Sequence, residues 1–117
     1  MRLAWVDPLL ERRCRSGSQL RVAAGSRHRD AEDLLHLVAQ APHLAHLITF
    51  RSLHVDIDGD DLTLSIEEIE MRTHPLTDRG ALRPVTKNQT AADHYDVGAL
   101  LVRDFRVDGR SILRRAS

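Results

Sequence analysis

Acidic side chains crowd the middle of the chain with the spacing of a calcium-binding loop. Positions 1, 3, 5 and 12 of such a loop, counted from the first acid, are Asp56, Asp58, Asp60 and Glu67. Loops of this type need glycine at position 6 for a sharp turn, and helices on both sides. Here position 6 is Asp61, and the flanking segments alternate apolar and polar residues as strands do. The sequence therefore favours an acidic hairpin tip over a calcium site.

Histidines are the second group that could hold a metal ion. His43 and His46 stand three residues apart, and His54 follows on a predicted strand. Helical zinc sites of the HExxH type carry an acid between their histidines, and this pair has none. Pro42 also leaves too little helix to fix both on one face. The sequence predicts no metal site and no cofactor, and it assigns His74 to a connection.

Two further sets of side chains could move protons or act as nucleophiles. Glu67, Glu68 and Glu70 could supply a pair of carboxylates, because alternate strand residues share a face. Three acids in four residues are more typical of a solvated edge. Cys14, the only cysteine, lies in a weakly patterned segment and excludes an intrachain disulfide. This cysteine usage favours a reducing compartment, and we expect a cytoplasmic protein.

Length and charge exclude several classes of protein. A chain of 117 residues with 42% hydrophobic content fits one domain. Seventeen basic residues balance seventeen acidic ones, and the basic residues are spread along the chain, so we expect no nucleic-acid partner. No window approaches the roughly 18 apolar residues of a membrane span, and the charged start does not match a signal peptide. We expect no membrane partner.

The first 25 residues are poorly patterned. The stretch "DPLLERRC" predicts one or two helical turns, and "SQLRVAA", residues 18–24, predicts a short strand. Clear periodicity begins only beyond them. We therefore divide the chain into an N-terminal segment, residues 1–25, and a single domain, residues 26–117.

The strongest helix signal is "DAEDLLHLVAQAP". Its apolar residues recur at the spacing of one helix face: Leu34, Leu37, Val38 and Ala41. Asp30 is placed to cap the helix, and Pro42 predicts its end near Gln40. The sequence predicts one well-formed helix here.

Two alternating runs then flank Asp58-Gly59. A two-residue Asp-Gly loop is the strongest local signal for a β-hairpin. With this loop Val55 faces Leu62 and Leu53 faces Leu64, so the apolar residues of both strands lie on one side of the sheet. We predict a hairpin in this register.

The next part of the chain is less regular. The apolar pattern slips by one residue between Ile66 and Ile69, which predicts a β-bulge near Glu67 and Glu68. Residues 73–93 carry scattered proline, glycine and charge, and they predict a long connection with one short strand in "ALRPVT".

A second Asp-Gly turn marks the end of the sheet. The stretch "YDVGALLVRDFRVDGRSILRR" predicts a long strand, a turn at Asp108-Gly109 and a short closing strand in which Ile112 faces Phe105. One or two helices followed by a meander of antiparallel strands define an α+β fold.

Three stretches, in this order, resemble the SnoaL-like proteins of the nuclear transport factor 2-like superfamily. They are "SRHRDAEDLLHLVAQAPHLAHLI", "LHVDIDGDDLTLSIEEIEM" and "LLVRDFRVDGRSILRRA", and together they span residues 26–116. They are similar to the family's helix ending in a histidine, its Asp-Gly-Asp hairpin and its closing hairpin with a "DGR" turn. The resemblance implies a cone-like roll, with N-terminal helices packed on a curved antiparallel β-sheet around an apolar cavity.

The chain also departs from that family pattern. Ser111 stands where the closing strand of the family usually carries tryptophan, and the two helices that cap the cone have no clear counterpart before Ser26. Aromatic content is only 3%, so aliphatic residues would line the cavity. The resemblance is to a short or degenerate member.

The resemblance also implies a function. Family members include polyketide cyclases, dehydratases and ketosteroid-type isomerases, so we expect a small hydrophobic carbonyl-type ligand or proton transfer in an apolar cone, without a cofactor. The histidine that enters the cavity in dehydratase-like members matches His46. Tyr95 and Asp96 are the nearest substitutes for its usual aspartate partner.

A non-catalytic alternative remains at this point. Curved sheets of this size also occur in interaction modules such as bacterial immunity proteins, which would act as a homodimer or bind another protein. This hypothesis predicts that sheet residues such as Leu62, Leu64 and Leu101 face a partner. Whether the chain is an enzyme is left open.

Overall fold

The computed structural model describes residues 1–42, 44–48, 50–58, 61–77 and 97–112. Its helices are α1 (Pro8–Arg15), α2 (Gly17–Ala24), a short 3₁₀ helix (Gly25–Arg27), α3 (His28–Gln40) and α4 (Leu44–Ile48). Its strands are β1 (Arg2–Trp5), β2 (His54–Asp58), β3 (Asp61–Ile66), β4 (Ile69–Thr77), β5 (Val97–Val107) and β6 (Arg110–Ser111). Helices packed on one sheet confirm the α+β class.

The strands form one sheet in the order β1-β5-β4-β3-β2, with β6 also paired to β5. The prediction of a wholly antiparallel sheet is wrong, because β1 pairs with β5 in parallel, Leu3 opposite Leu100 and Trp5 opposite Val102. A parallel pair requires a long crossover, and nearly the whole chain lies between these strands. The cone-like curvature stays a prediction.

Residues 1–25 form β1, α1 and α2. The Asp7 side chain caps α1 by accepting a hydrogen bond of 2.8 Å from the backbone N–H of Leu9. The strand predicted over residues 18–24 is wrong, because these residues belong to α2, whose N-cap is Ser16. The helix buries Leu20 and Ala24, the i and i+4 positions of one face.

Helix α3 ends at Gln40, as Pro42 predicts, but its start differs from the prediction. It begins at His28, so Asp30 lies in the first turn instead of capping it, and the N-cap residue makes no side-chain hydrogen bond. An acidic residue in the first turn still favours the helix through its dipole. Leu34 and Val38 are fully buried. Through this face α3 packs over β3 and β4.

The first predicted hairpin is confirmed, but its register is not. Val55 pairs with Leu64, Ile57 with Leu62 and Asp58 with Asp61, so the pairing differs from the predicted one by two residues. Both registers place the same apolar residues on the same face, because side chains alternate with period two. The hydrophobic pattern alone could not distinguish them.

The predicted bulge at Glu67 and Glu68 is wrong. These residues form a tight turn in which Glu67 has φ 51°, and Ile66 pairs with Ile69 across it. Strand β4 then continues to Thr77, so the first five residues of the predicted connection are strand. The short strand predicted in "ALRPVT" lies outside the described residues.

The closing hairpin is confirmed. Asp108 and Gly109 both have positive φ, 52° and 79°, as expected for a type I′ turn. Ile112 donates its backbone N–H to the carbonyl of Phe105 at 2.9 Å, so the two residues face each other as predicted.

The core lies between the helices and one face of the sheet. Its largest fully buried side chains include Phe105, Leu10, Leu34, Leu44, Met71 and Leu100. Leu62 and Leu64 are also fully buried in this core, so the prediction that they face a partner protein is wrong. In the part of the chain that the structure describes, no helix is long and apolar enough to cross a membrane.

Candidate functional site

His46 lies on α4, the histidine-bearing helix that precedes the sheet. This five-residue helix turns Leu44 and Leu47 into the core, where both are fully buried, and leaves His46 exposed. The imidazole meets the ring of Phe50 edge to face, with centroids 5.2 Å apart. Tyr95 and Asp96, its predicted partners, lie outside the described residues.

A charged cluster that the sequence did not predict joins three strands. Asp61 at the start of β3 contacts His74 on β4, with Oδ1 and Nε2 3.2 Å apart, and Arg103 on β5, with Oδ1 and Nη1 2.9 Å apart. Arg103 Nη1 also lies 2.8 Å from His74 Nε2. His74 was assigned to a connection, and the longer β4 brings it to the sheet. We call these three residues the sheet-face cluster.

A second polar group supports the closing hairpin. One carboxylate oxygen of Asp104 accepts hydrogen bonds from the Ser111 hydroxyl at 2.5 Å and the Phe105 backbone N–H at 2.9 Å. Its other oxygen accepts from Arg106 Nε at 3.1 Å. The described contacts of both groups lie within the sheet, as expected of side chains that support the fold.

A candidate site is a half-open pocket of about 340 Å³ between β1, α1 and α3. We call it the N-terminal cavity, and its lining residues are Met1, Arg2, Leu3, Trp5, Cys14, Arg15, Leu35 and Ala39. Leu3 and Trp5 come from alternate positions of β1, Cys14 and Arg15 from the end of α1, and Leu35 and Ala39 from successive turns of α3. The floor is mainly apolar, and two arginines, Arg2 and Arg15, lie at the border.

Two groups in the cavity wall are unusual for a folded core. The indole Nε1 of Trp5 is buried and has no hydrogen-bond partner among the described residues. An unpaired buried donor costs roughly 1–3 kcal/mol. Burial raises the pKa of the Cys14 thiol to about 12, so this side chain is neutral and unreactive near pH 7.

Two charged groups at the cavity border, Arg15 and the Met1 ammonium, differ in the number of their partners. Arg15 Nη1 lies 3.2 Å from Glu11 Oε1 in an i,i+4 pair; the Arg15 side chain is largely exposed and that of Glu11 is partly exposed. The Met1 ammonium donates to the Val38 carbonyl at 3.1 Å, the Ala39 carbonyl at 3.2 Å and the Ala41 carbonyl. These carbonyls lie at the end of α3, where helical partners are missing, and burial lowers the pKa of the ammonium.

The cavity was missed in the sequence because its residues come from the weakly patterned start of the chain and from α3. The alternation of Leu3 and Trp5 is a signal too short to predict a strand. A metal is not indicated either, because the described residues contain no group of three histidine, cysteine or acidic side chains that could hold one. Comparison of the chain with protein-family models, curated proteins and solved structures finds no match, so its function must be argued from the geometry of this cavity.

Proposed function

We propose that the chain is a binding protein for a small, largely apolar compound that carries a carbonyl-type oxygen, and that the N-terminal cavity holds it. The observation that carries this proposal is a cavity with an apolar floor and a guanidinium at its border. Small-molecule sites combine these two features, an apolar surface for affinity and a few polar groups for orientation.

The apolar part of the site is large enough for a compact ligand. A volume of about 340 Å³ lies at the small end of the range for ligand pockets, roughly 300–1,000 Å³. Leu3, Leu35 and the Trp5 ring supply the apolar surface. Each methylene removed from water at such a surface contributes about 0.8 kcal/mol.

Two arginines, Arg2 and Arg15, line the site; Arg2 already has a partner, so the polar group available to a ligand is Arg15. Its guanidinium carries five N–H donors, and the contact with Glu11 occupies one nitrogen. Arg15 has no other partner among the described residues. A ligand oxygen at the cavity border would accept from the remaining donors.

The lining supports binding rather than proton transfer. Its only thiol has a raised pKa, the wrong direction for a nucleophile at neutral pH. His46 does not belong to the lining. The proposal thus keeps the ligand class that the SnoaL-like resemblance implies, but places it at the N-terminal cavity. Proton transfer by His46 with Tyr95 and Asp96 stays a prediction.

A thermal melt combined with fluorescence tests this proposal. Trp5 is the only tryptophan in the chain and lines the cavity, so its emission reports on this site alone. A panel of small apolar ketones, amides and acids is titrated against the protein. At 100 times Kd a ligand stabilises the native state by about 2.7 kcal/mol, which raises Tm by roughly 10 °C in a domain of this size.

A matched pair of variants separates the cavity from the rest of the surface. Ala39→Phe places a ring in the cavity and is expected to abolish both the emission change and the Tm rise. Gln40→Phe adds the same ring at the adjacent exposed position, which does not line the cavity, and should leave both unchanged. Ligand responses that survive in Ala39→Phe would exclude this cavity as the site, and a panel without any response would reject the proposed function.

A further inference from the structure

We infer that the ligand of the N-terminal cavity is an anion, a small amphipathic carboxylic acid whose carboxylate meets Arg15. This inference rests on the proposed function and adds the charge of the ligand to it. It is based on the partners of the cationic groups around the cavity and on the uneven distribution of charged residues along the chain.

Arg15 differs from the arginines that hold the fold together. Three other guanidiniums contact groups that are distant in sequence: Arg13 donates to the Ile112 carbonyl, Arg27 pairs with Asp108, and Arg103 pairs with Asp61. The only described partner of Arg15 is Glu11, one turn away on the same helix and 39% exposed. An exposed pair of this kind is worth only about 0.3–0.5 kcal/mol. A ligand carboxylate can therefore compete for Arg15 without disturbing the tertiary structure.

The other two cations at the cavity, Arg2 and the Met1 ammonium, already have partners. The Met1 ammonium has three N–H groups, and three carbonyls at the end of α3 accept from it. It raises the local potential, but it has no donor left for a ligand. The direct contact to an anion thus falls to Arg15.

The part of the chain that supplies most of the lining is rich in arginine and poor in acidic residues, although the whole chain is neutral. Residues 1–29 contain seven arginines and two acidic residues, whereas the remainder contains ten basic and fifteen acidic residues. Six of the eight lining residues belong to this basic part. A cavity with low-dielectric walls in a region of one charge sign concentrates ions of the opposite sign.

The geometry favours a carboxylate over a phosphate. One guanidinium presents two parallel N–H groups, which satisfy both oxygens of a carboxylate but only two of the three terminal oxygens of a phosphate. A phosphate dianion carries twice the charge and three acceptor oxygens, and recognition of it usually recruits several donors. A single arginine without a tertiary partner, next to an apolar floor, fits a monoanion with an apolar body.

The test compares each acid with its own amide, which keeps size and shape while it removes the charge. Octanoic acid and octanamide form one pair, and 2-naphthylacetic acid and its amide form the other. Binding is measured at pH 7.5 by Trp5 emission and by calorimetry, in 20 mM and in 500 mM NaCl. We expect at least one acid to bind about tenfold more tightly than its amide at low salt, because hydrogen bonds to charged groups are roughly twice as strong as neutral ones. High salt should reduce this preference.

Two arginines on the same helix give the matched variants. Arg15→Gln should remove most of the preference for the acid, about five- to tenfold, and leave amide affinity within twofold. Arg12→Gln changes the net charge equally at an exposed position outside the cavity, and should reduce acid affinity less than twofold. Octyl phosphate, run in parallel, should bind more weakly than the carboxylates.

The outcomes separate the two proposals. If acid and amide bind equally well in the cavity, or if both arginine variants lose the same affinity for the acid, the inference of an anionic ligand is wrong. The proposed binding function would still stand. Tighter binding of octyl phosphate would overturn the carboxylate assignment. If neither member of any pair changes Trp5 emission or releases heat, the anionic ligand and the proposed function fall together.

Discussion

The sheet-face cluster and the N-terminal cavity both contain an arginine, but the two differ in their partners. Arg103 Nη1 lies 2.9 Å from Asp61 and 2.8 Å from His74, so this arginine contacts side chains on two other strands. Arg15 instead contacts one side chain on its own helix. At the cavity Trp5 has a buried N–H without a described partner, and Arg15 contacts one exposed acid. A paired group contributes to the fold, whereas a buried unpaired group such as the Trp5 N–H costs free energy that a ligand can recover. The difference identifies the cavity as the place to look for function.

The largest expected effect is on the pH dependence of stability, and it tests whether water reaches Cys14 in the cavity wall. Burial raises the pKa of Cys14 from 9.0 to about 12, so above pH 9 the unfolded chain loses a proton that the folded chain keeps. The stability linked to this thiol is complete below pH 9 and falls as pH rises towards 12, by up to about 1.4 kcal/mol per pH unit. Urea unfolding at pH 8.5, 9.5 and 10.5 measures the slope.

Cys14→Ala is the control for this measurement, because other groups also titrate in alkali. The variant should be less stable at pH 8.5 and should show a shallower decline towards pH 10.5. Parallel declines in the two proteins would mean that water reaches the thiol, and that the wall is as solvated as the sheet-face cluster.

The next effect concerns the unpaired indole. Trp5→Phe removes the buried N–H and keeps an aromatic ring, so we expect the free energy of unfolding to rise by about 1 kcal/mol, since the relief of an unpaired donor outweighs the smaller ring. Trp5→Ala, which also removes the ring, should lower it. Chemical unfolding, followed by circular dichroism, measures the free energy of unfolding of both variants. A loss of more than about 1 kcal/mol in Trp5→Phe would show that the N–H has a partner in solution.

A smaller effect is expected in the sheet-face cluster. Its groups are half exposed, so a double-mutant cycle of Asp61→Asn and Arg103→Gln should give a coupling of about 0.2–1 kcal/mol that decreases in 500 mM NaCl. Neither substitution should change ligand affinity in the cavity by more than twofold. A larger change in affinity would show that the two regions are not independent.

Local signals predicted the parts of the fold that depend on local chemistry. Pro42 marked the end of α3, and Asp108-Gly109 formed the expected turn, because backbone restrictions act over a few residues. The hairpin register was ambiguous for a physical reason, since a shift by two residues preserves the buried face. The apolar pattern slips by one residue at Glu67, which predicts a bulge; this residue instead lies in a tight turn with positive φ, which is uncommon for a residue other than glycine.

The candidate site could not be read from the sequence, because it depends on long-range pairing. Strand β1 has only four residues, and its partner β5 begins at Val97. This parallel pairing places Leu3 and Trp5 beside α1 and α3 and so creates the cavity. His46 was predicted through a family resemblance, and with Tyr95 and Asp96 outside the described residues its role stays a prediction. The expected homodimer likewise stays a prediction.

The smallest expected effect is a change in ligand affinity, and it distinguishes the N-terminal cavity from the sheet most sharply. Glu11→Gln leaves Arg15 without its partner, which should lower stability by about 0.3–0.5 kcal/mol and raise affinity for the carboxylate probe two- to threefold, because the ligand no longer competes with an intrahelical acid. Glu68→Gln makes the same change in net charge at an exposed turn on the sheet and should leave affinity unchanged. Calorimetry with the tighter-binding acid compares the two variants at equal salt. Equal gains in both would attribute the effect to the overall field of the protein, and no gain in Glu11→Gln would mean that Arg15 does not contact the ligand.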